Sequence, residues 1–124
     1  MNQWLAVAAG GALGAVARYG LSTAVYAWLG RGFPWGTLVV NVLGSGIMGG
    51  LFVLFLERMS VSPEWRAVVL VGFLGAFTTF SAFSMETFQL LENGEILKAV
   101  LNTVVSVLAC LAATWGGVWF VRSL

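Results

Sequence analysis

Asn102, Ser106, Cys110 and Thr114 recur at four-residue intervals, which places side chains on one face of a helix. Asn41 and Ser45 repeat that spacing earlier in the chain. Hydroxyls, a thiol and an amide N–H are hydrogen-bond donors without full charge. In a row across a low-dielectric medium they could hand an anion from one donor to the next. The same stripe could instead serve interhelical hydrogen bonding, worth on average about 0.6 kcal/mol per contact in a membrane.

A second concentration of chemistry is Gly75-Ala76-Phe77-Thr78-Thr79-Phe80-Ser81-Ala82-Phe83-Ser84. As a continuous helix it would turn its hydroxyls back onto carbonyls four residues earlier. As a helix broken at Gly75–Thr79 it would free carbonyl oxygens, tolerated in a membrane only where protein or a wet cavity covers them. Two antiparallel copies would bring such carbonyls together into an oxygen cage for a hard cation. Phe80 and Phe83, three residues apart, share a face, and the positive edge of an aromatic ring can steady an anion. Packing is the alternative use of the pair.

Arg18 and Glu86 stand inside otherwise apolar runs, where a charge is costly and marks a functional position. Arg18 could draw anions toward an entrance, or snorkel to the interface or pair with a carboxylate. Glu86 lies near the same passage as Phe83 or marks where its helix leaves the hydrocarbon. Gly44-Ser45-Gly46-Ile47-Met48-Gly49 spells a dinucleotide fingerprint, but without the strand before it that such a site needs. Gly10/Gly14 and Gly46/Gly50 read as close-packing pairs.

The elements that must position these residues follow from charge. A soluble domain keeps roughly a quarter of its residues charged; here 9% are charged and 60% hydrophobic. Residues 1–17, 19–30, 32–56, 67–85 and 99–121 carry no charge at all. Runs of about 18 or more apolar residues are spanning helices. Four spans fit, at 4–29, 35–56, 66–91 and 96–121, in one domain covering residues 1–124. Pro34 suits a helix opening, Gly94 a helix end, and Trp4, Trp28, Trp35, Trp65 and Trp119 an interfacial belt. No leader peptide is expected, because a basic first region is lacking. A net charge of +1 excludes nucleic acid as a partner. One Cys and no His exclude an intrachain disulfide and the common zinc, haem and iron–sulfur sites.

Both termini and the loop near residue 60 share one side, with Arg58, Arg66 and Arg122; Arg31 and Lys98 lie on the other. Such a balance gives almost no orientation bias. The expected outcome is insertion both ways and an antiparallel homodimer, since four helices are too few to enclose a wet pore and still face lipid. A single orientation fixed by further contacts is the alternative.

Three stretches resemble the bacterial fluoride channels of the Fluc, or CrcB, family: Gly10-Gly11-Ala12-Leu13-Gly14 with Arg18; Gly36-Thr37-Leu38-Val39-Val40-Asn41; and the run from Gly72 to Glu86, including Thr78-Thr79-Phe80-Ser81-Ala82-Phe83-Ser84-Met85-Glu86. The resemblance covers the whole chain. It implies an all-α integral membrane protein of four transmembrane helices, the third broken, working as a dual-topology antiparallel homodimer with two fluoride pores. It points to Asn41, Phe80 and Phe83 as pore lining, to Ser106, Cys110 and Thr114 as bordering the pathway, and to Ser81 and Glu86 near it. It also implies a central sodium ion held by the carbonyls of Gly75 and Thr78. Ala82 stands where the family often has Thr, and Cys110 where Ser is usual; a thiol is the weaker donor.

The expected activity is therefore passive, non-enzymatic export of fluoride across the bacterial cytoplasmic membrane, with lipid, fluoride and a second copy as partners. A small multidrug-type antiporter shares the size and dual topology but needs a carboxylate in the first span, where the only charge is Arg18. A non-conducting assembly subunit would use the Gly and Ser faces for packing alone.

Overall fold

A computed structural model describes residues 2–124, which are helical almost throughout. The first helix, α1, is Gln3–Leu29. Asn2 caps it by accepting the Leu5 N–H at 2.8 Å, and Gly30 closes it at φ +82°, a left-handed value that glycine adopts without cost. Helix α2 is Trp35–Arg58 and opens directly after Pro34. Its last turn, Leu54–Arg58, widens to π spacing, with the Met59 N–H reaching the Leu54 carbonyl at 2.9 Å.

The third span is Pro63–Glu92. It begins where Ser62 accepts the Trp65 N–H and Pro63 occupies the first turn, as suits a residue with no N–H to satisfy. Residues 63–77 form α3, π-wound over Ala67–Leu74. Thr78 and Thr79 are then extended, at φ −94°, ψ 160° and φ −152°, ψ 119°. Helix α4, Phe80–Glu92, starts after them, its first turn capped by Thr79 Oγ1, which accepts the Ala82 N–H at 3.1 Å. Gly94, at φ +76°, turns the chain into α5, Ile96–Arg122.

All four spans are long and apolar enough to cross a membrane, and the chain is a multi-pass membrane protein. Large apolar side chains such as Trp4, Trp28, Leu97, Leu111 and Trp119 lie exposed on its outside. Exposure of that kind suits lipid, not water. Few large apolar side chains are buried, and Val40, Leu74 and Phe77 form the central cluster, with Ala17, Leu21, Met48, Leu51, Leu70 and Phe73 packed on it.

Because lipid tails are as apolar as leucine, these helices associate through close packing of small residues. In the α1–α3 contact, a Cβ at Gly10 would strike the Val68 carbonyl and one at Gly14 the Phe73 carbonyl. In the α2–α5 contact, a Cβ at Gly49 would strike the Thr114 carbonyl and one at Gly117 the Gly46 carbonyl. Gly46 itself has ordinary room, its nearest neighbour being the Ala113 carbonyl at 3.5 Å. The seam therefore includes Gly46 and Gly50, whose backbone faces Gly117, as the sequence pattern expected, and adds Gly49 and Gly117, which that pattern did not single out. In so glycine-dense a stretch, spacing alone does not choose the register. Helices α2 and α5 run parallel, and their far ends are tied together. Arg122 pairs with Glu57 through two hydrogen bonds, at 3.1 and 2.7 Å. Arg58 Nη2 donates to the Arg122 carbonyl at 2.8 Å, meeting a carbonyl that the helix end leaves open.

Candidate ion pathway

Two cavities follow one another along α2. One, of about 270 Å³, lies between α2, α4 and α5 and is lined by Asn41, Ser45, Thr78, Thr79, Phe80, Phe83, Ser106, Val107 and Cys110. No Asp, Glu, Lys or Arg lines it. The other, of about 540 Å³, opens near the α1–α2 and α4–α5 loops, with Tyr26, Arg31, Thr37, Glu86 and Glu95 among its walls. Thr37, Asn41 and Ser45 are spaced by four residues on α2, so the two cavities sit about 6 Å apart along that helix at 1.5 Å per residue.

The smaller cavity exists because α2 holds the extended pair in place. Asn41 Nδ2 donates to the Thr79 carbonyl at 2.9 Å, and the Thr79 N–H donates to Asn41 Oδ1 at 2.7 Å. One amide thus satisfies both backbone groups of a residue outside any helix, as burial in a membrane requires. It also leaves Asn41 with one N–H to spare. From the other side, Arg18 Nε donates to the Ala76 carbonyl at 3.1 Å. Gly75 remains helical, but the Thr79 N–H that would meet its carbonyl in a continuous helix is taken by Asn41. Likewise the Ala82 N–H, the helical partner of the Thr78 carbonyl, goes to Thr79 Oγ1.

Phe80 and Phe83 contact each other at 5.2 Å between ring centroids, tilted by 55°. Both line the smaller cavity, and Phe80 is 66% exposed, so that wall faces outward from the chain. On α5, Ser106 and Cys110 form the opposite wall.

Of the four-residue stripe on α5, only Ser106 and Cys110 line the cavity. Asn102 is buried: its Nδ2 donates to Thr87 Oγ1 at 2.9 Å, and its Oδ1 accepts from Ser106 Oγ at 3.2 Å. Thr87 in turn donates to the Phe83 carbonyl at 2.8 Å. This network packs α4 on α5 and points the Ser106 proton at Asn102. Thr114 sits in the α2–α5 seam beside Gly49, and its hydroxyl donates to the Cys110 carbonyl at 3.0 Å.

Glu86 lines the larger cavity. Its Oε2 accepts from Tyr26 Oη at 2.6 Å and its Oε1 from Thr37 Oγ1. A part-buried carboxylate with two hydroxyl donors is satisfied without a cation. Arg31 lies over the Tyr26 ring, 4.6 Å from its centroid. Ser81 lines neither cavity; its exposed hydroxyl is 3.3 Å from Thr79 Oγ1. Arg18 lines neither cavity as well.

The structure therefore brings together Asn41, Phe80, Phe83, Ser106 and Cys110, and sets Glu86, Thr114, Ser81 and Arg18 around them. Tyr26, Thr37 and Thr87 carry polar contacts that the sequence reading did not single out. For Thr37 a signal was present, since Thr37, Asn41 and Ser45 continue one four-residue repeat. Tyr26 and Thr87 offered none.

Residues 5–118 match the family model described as CrcB-like protein, Camphor Resistance (CrcB). A protein of Magnetococcus marinus named fluoride-specific ion channel FluC is 61% identical over 111 residues, 90% of each chain. One of the same name from Geobacter sulfurreducens is 51% identical over 124 residues, the full length of both. A third, from Methylococcus capsulatus, is 56% identical over 119 residues, 96% of this chain; there the chain spans about half the relative's length, 52%. By this match over most of its length, the chain belongs to the CrcB-like family.

Proposed function

We propose that this chain is a fluoride-selective channel that lets fluoride leave the bacterial cytoplasm passively. The observation that carries the reading is the cavity between α2, α4 and α5: a membrane-embedded space walled by an amide, hydroxyls, a thiol, two phenyl rings and Val107, with no formal charge. Removing a small anion from water has an idealised cost on the order of 20 kcal/mol for a carboxylate-sized ion, and fluoride is smaller. Weak donors in series replace that water while leaving the ion free to depart. A ring of cationic side chains would hold it too long. The names borne by the relatives support the same ion.

The working unit in this reading is an antiparallel homodimer in the cytoplasmic membrane. Phe80, an exposed aromatic on the cavity wall, needs a second surface to complete the passage. Sodium is the second part of the proposal. The carbonyls of Gly75 and Thr78 lack their usual helical donors because Asn41 and Thr79 divert them, and oxygen ligands of this type suit a hard cation. A bound sodium ion would supply positive potential at the dimer centre. The residues of this chain hold the carbonyls in position: Asn41 through Thr79, and Arg18 through Ala76.

Reconstitution into liposomes loaded with fluoride tests the function. Efflux read by a fluoride electrode is expected to be fast, and chloride efflux from matched vesicles to be absent. Vesicles that retain fluoride, or release chloride equally, would overturn the reading.

A further inference from the structure

Of the donors lining the smaller cavity, most are already committed within the chain. Ser106 donates to Asn102 and Thr78 to the Leu74 carbonyl, while Thr79 Oγ1, which accepts from the Ala82 N–H, lies 3.3 Å from Ser81 Oγ, an acceptor for its own proton. Asn41 spends one of its two N–H groups on Thr79. Among the described residues, three donors on that wall meet no acceptor in the chain: the second Asn41 N–H, the Cys110 thiol and the Ser45 hydroxyl. Ser45 is half-buried, one helical turn beyond Asn41 on the same face of α2. It and Cys110 line the cavity from α2 and α5. Just beyond them, the helices close at Gly49 against Thr114 and Gly117 against Gly46.

We infer that Ser45 is a pathway donor, contributing a hydroxyl to the ion at the level of Cys110. The step rests on the fluoride-channel reading above. A serine in a membrane helix would ordinarily return its proton to the carbonyl four residues earlier, as Thr78, Thr87, Thr103 and Thr114 do here. Ser45 does not, and its hydroxyl is free to turn into the cavity. A thiol is a weak donor, so an ion beside Cys110 depends on the strong donor opposite it. Thr37, Asn41 and Ser45 then make a three-rung ladder on α2, from the carboxylate-lined outer cavity to the closed helix seam.

Fluoride efflux measured for Ser45→Ala in two backgrounds tests this. In the otherwise native chain, the substitution is expected to slow efflux by at least tenfold. In Cys110→Ser, where a hydroxyl stands on the opposite wall, the same substitution is expected to slow it by less than threefold. A serine that only packs would give the same factor in both backgrounds, or none in either; both results overturn the proposal. Should Ser45→Ala elute as aggregate, Ser45→Cys in the Cys110→Ser background replaces it. Silver ion is then expected to block efflux, and efflux that survives once the thiol is titrated overturns the proposal. Failure of the native chain to release fluoride at all would count against the channel reading rather than against Ser45.

Discussion

Asn41 and Thr79 share two hydrogen bonds, amide to carbonyl at 2.9 Å and backbone N–H to amide at 2.7 Å. Helix α2 thereby fixes the only two extended residues inside the third span. Everything on the cavity's α4 wall depends on that bond pair, because Phe80 and Phe83 start where Thr79 is held.

Removing the amide should be costly in a way that a merely pore-facing residue would not be. Asn41→Ala leaves the Thr79 N–H and carbonyl without partners, and each unsatisfied buried group costs about 1–3 kcal/mol. The expected result is a lower denaturation midpoint in detergent titration together with lost fluoride efflux. A variant with native stability would show that the bond pair carries little.

The ring pair gives the opposite pattern. Phe80 is exposed on the single chain, and Phe83 lines the cavity beside it. Phe83→Leu keeps apolar bulk and loses the ring edge. Efflux is expected to fall by about tenfold or more, the loss of roughly 1.4 kcal/mol or more at the barrier, while elution and midpoint stay near native.

Glu86 draws on two donors from two other helices, Tyr26 on α1 and Thr37 on α2. A hydrogen bond to a charged group contributes about 1.5–3 kcal/mol. Tyr26→Phe should therefore lower stability by about that amount in a detergent denaturation series. Thr37→Val should do the same, and the two losses should not add, since both act on one carboxylate.

Glycine substitutions show which positions of the helix seam leave no room for a methyl group. Gly49→Ala drives a methyl into the Thr114 carbonyl, where backbone has to move, and overpacking of this kind costs about 1–3 kcal/mol. Gly46→Ala meets its nearest atom at 3.5 Å and should be tolerated. Thermal aggregation in detergent, followed for both, checks the order.

These contrasts show what the sequence could and could not convey. Charge-free runs located the four spans within a few residues, because a buried charge in lipid is expensive wherever it falls. Pro34 and Gly94 marked helix ends through backbone geometry that belongs to the residue itself. The seam at Gly46 and Gly50 was legible, but the part of Gly49 and Gly117 in it was not, since a stretch holding Gly44, Gly46, Gly49 and Gly50 offers several faces for close approach. Nor was the pairing of Glu86 with Tyr26, 60 residues away, or of Arg18 with Ala76. Such contacts are set by how helices cross, not by spacing within one helix. The α5 stripe shows the same limit. Spacing put Asn102, Ser106, Cys110 and Thr114 on one face, but that face meets α4 at one end and α2 at the other, so only its middle borders the cavity.

The passage of fluoride through the cavity is tested most directly at Cys110, the chain's one cysteine, which lines it. Silver ion added as the nitrate to reconstituted protein in chloride-free buffer should stop fluoride efflux, and Cys110→Ser should be immune. Efflux that continues unchanged once mass spectrometry shows silver on Cys110 would contradict a route between α2, α4 and α5.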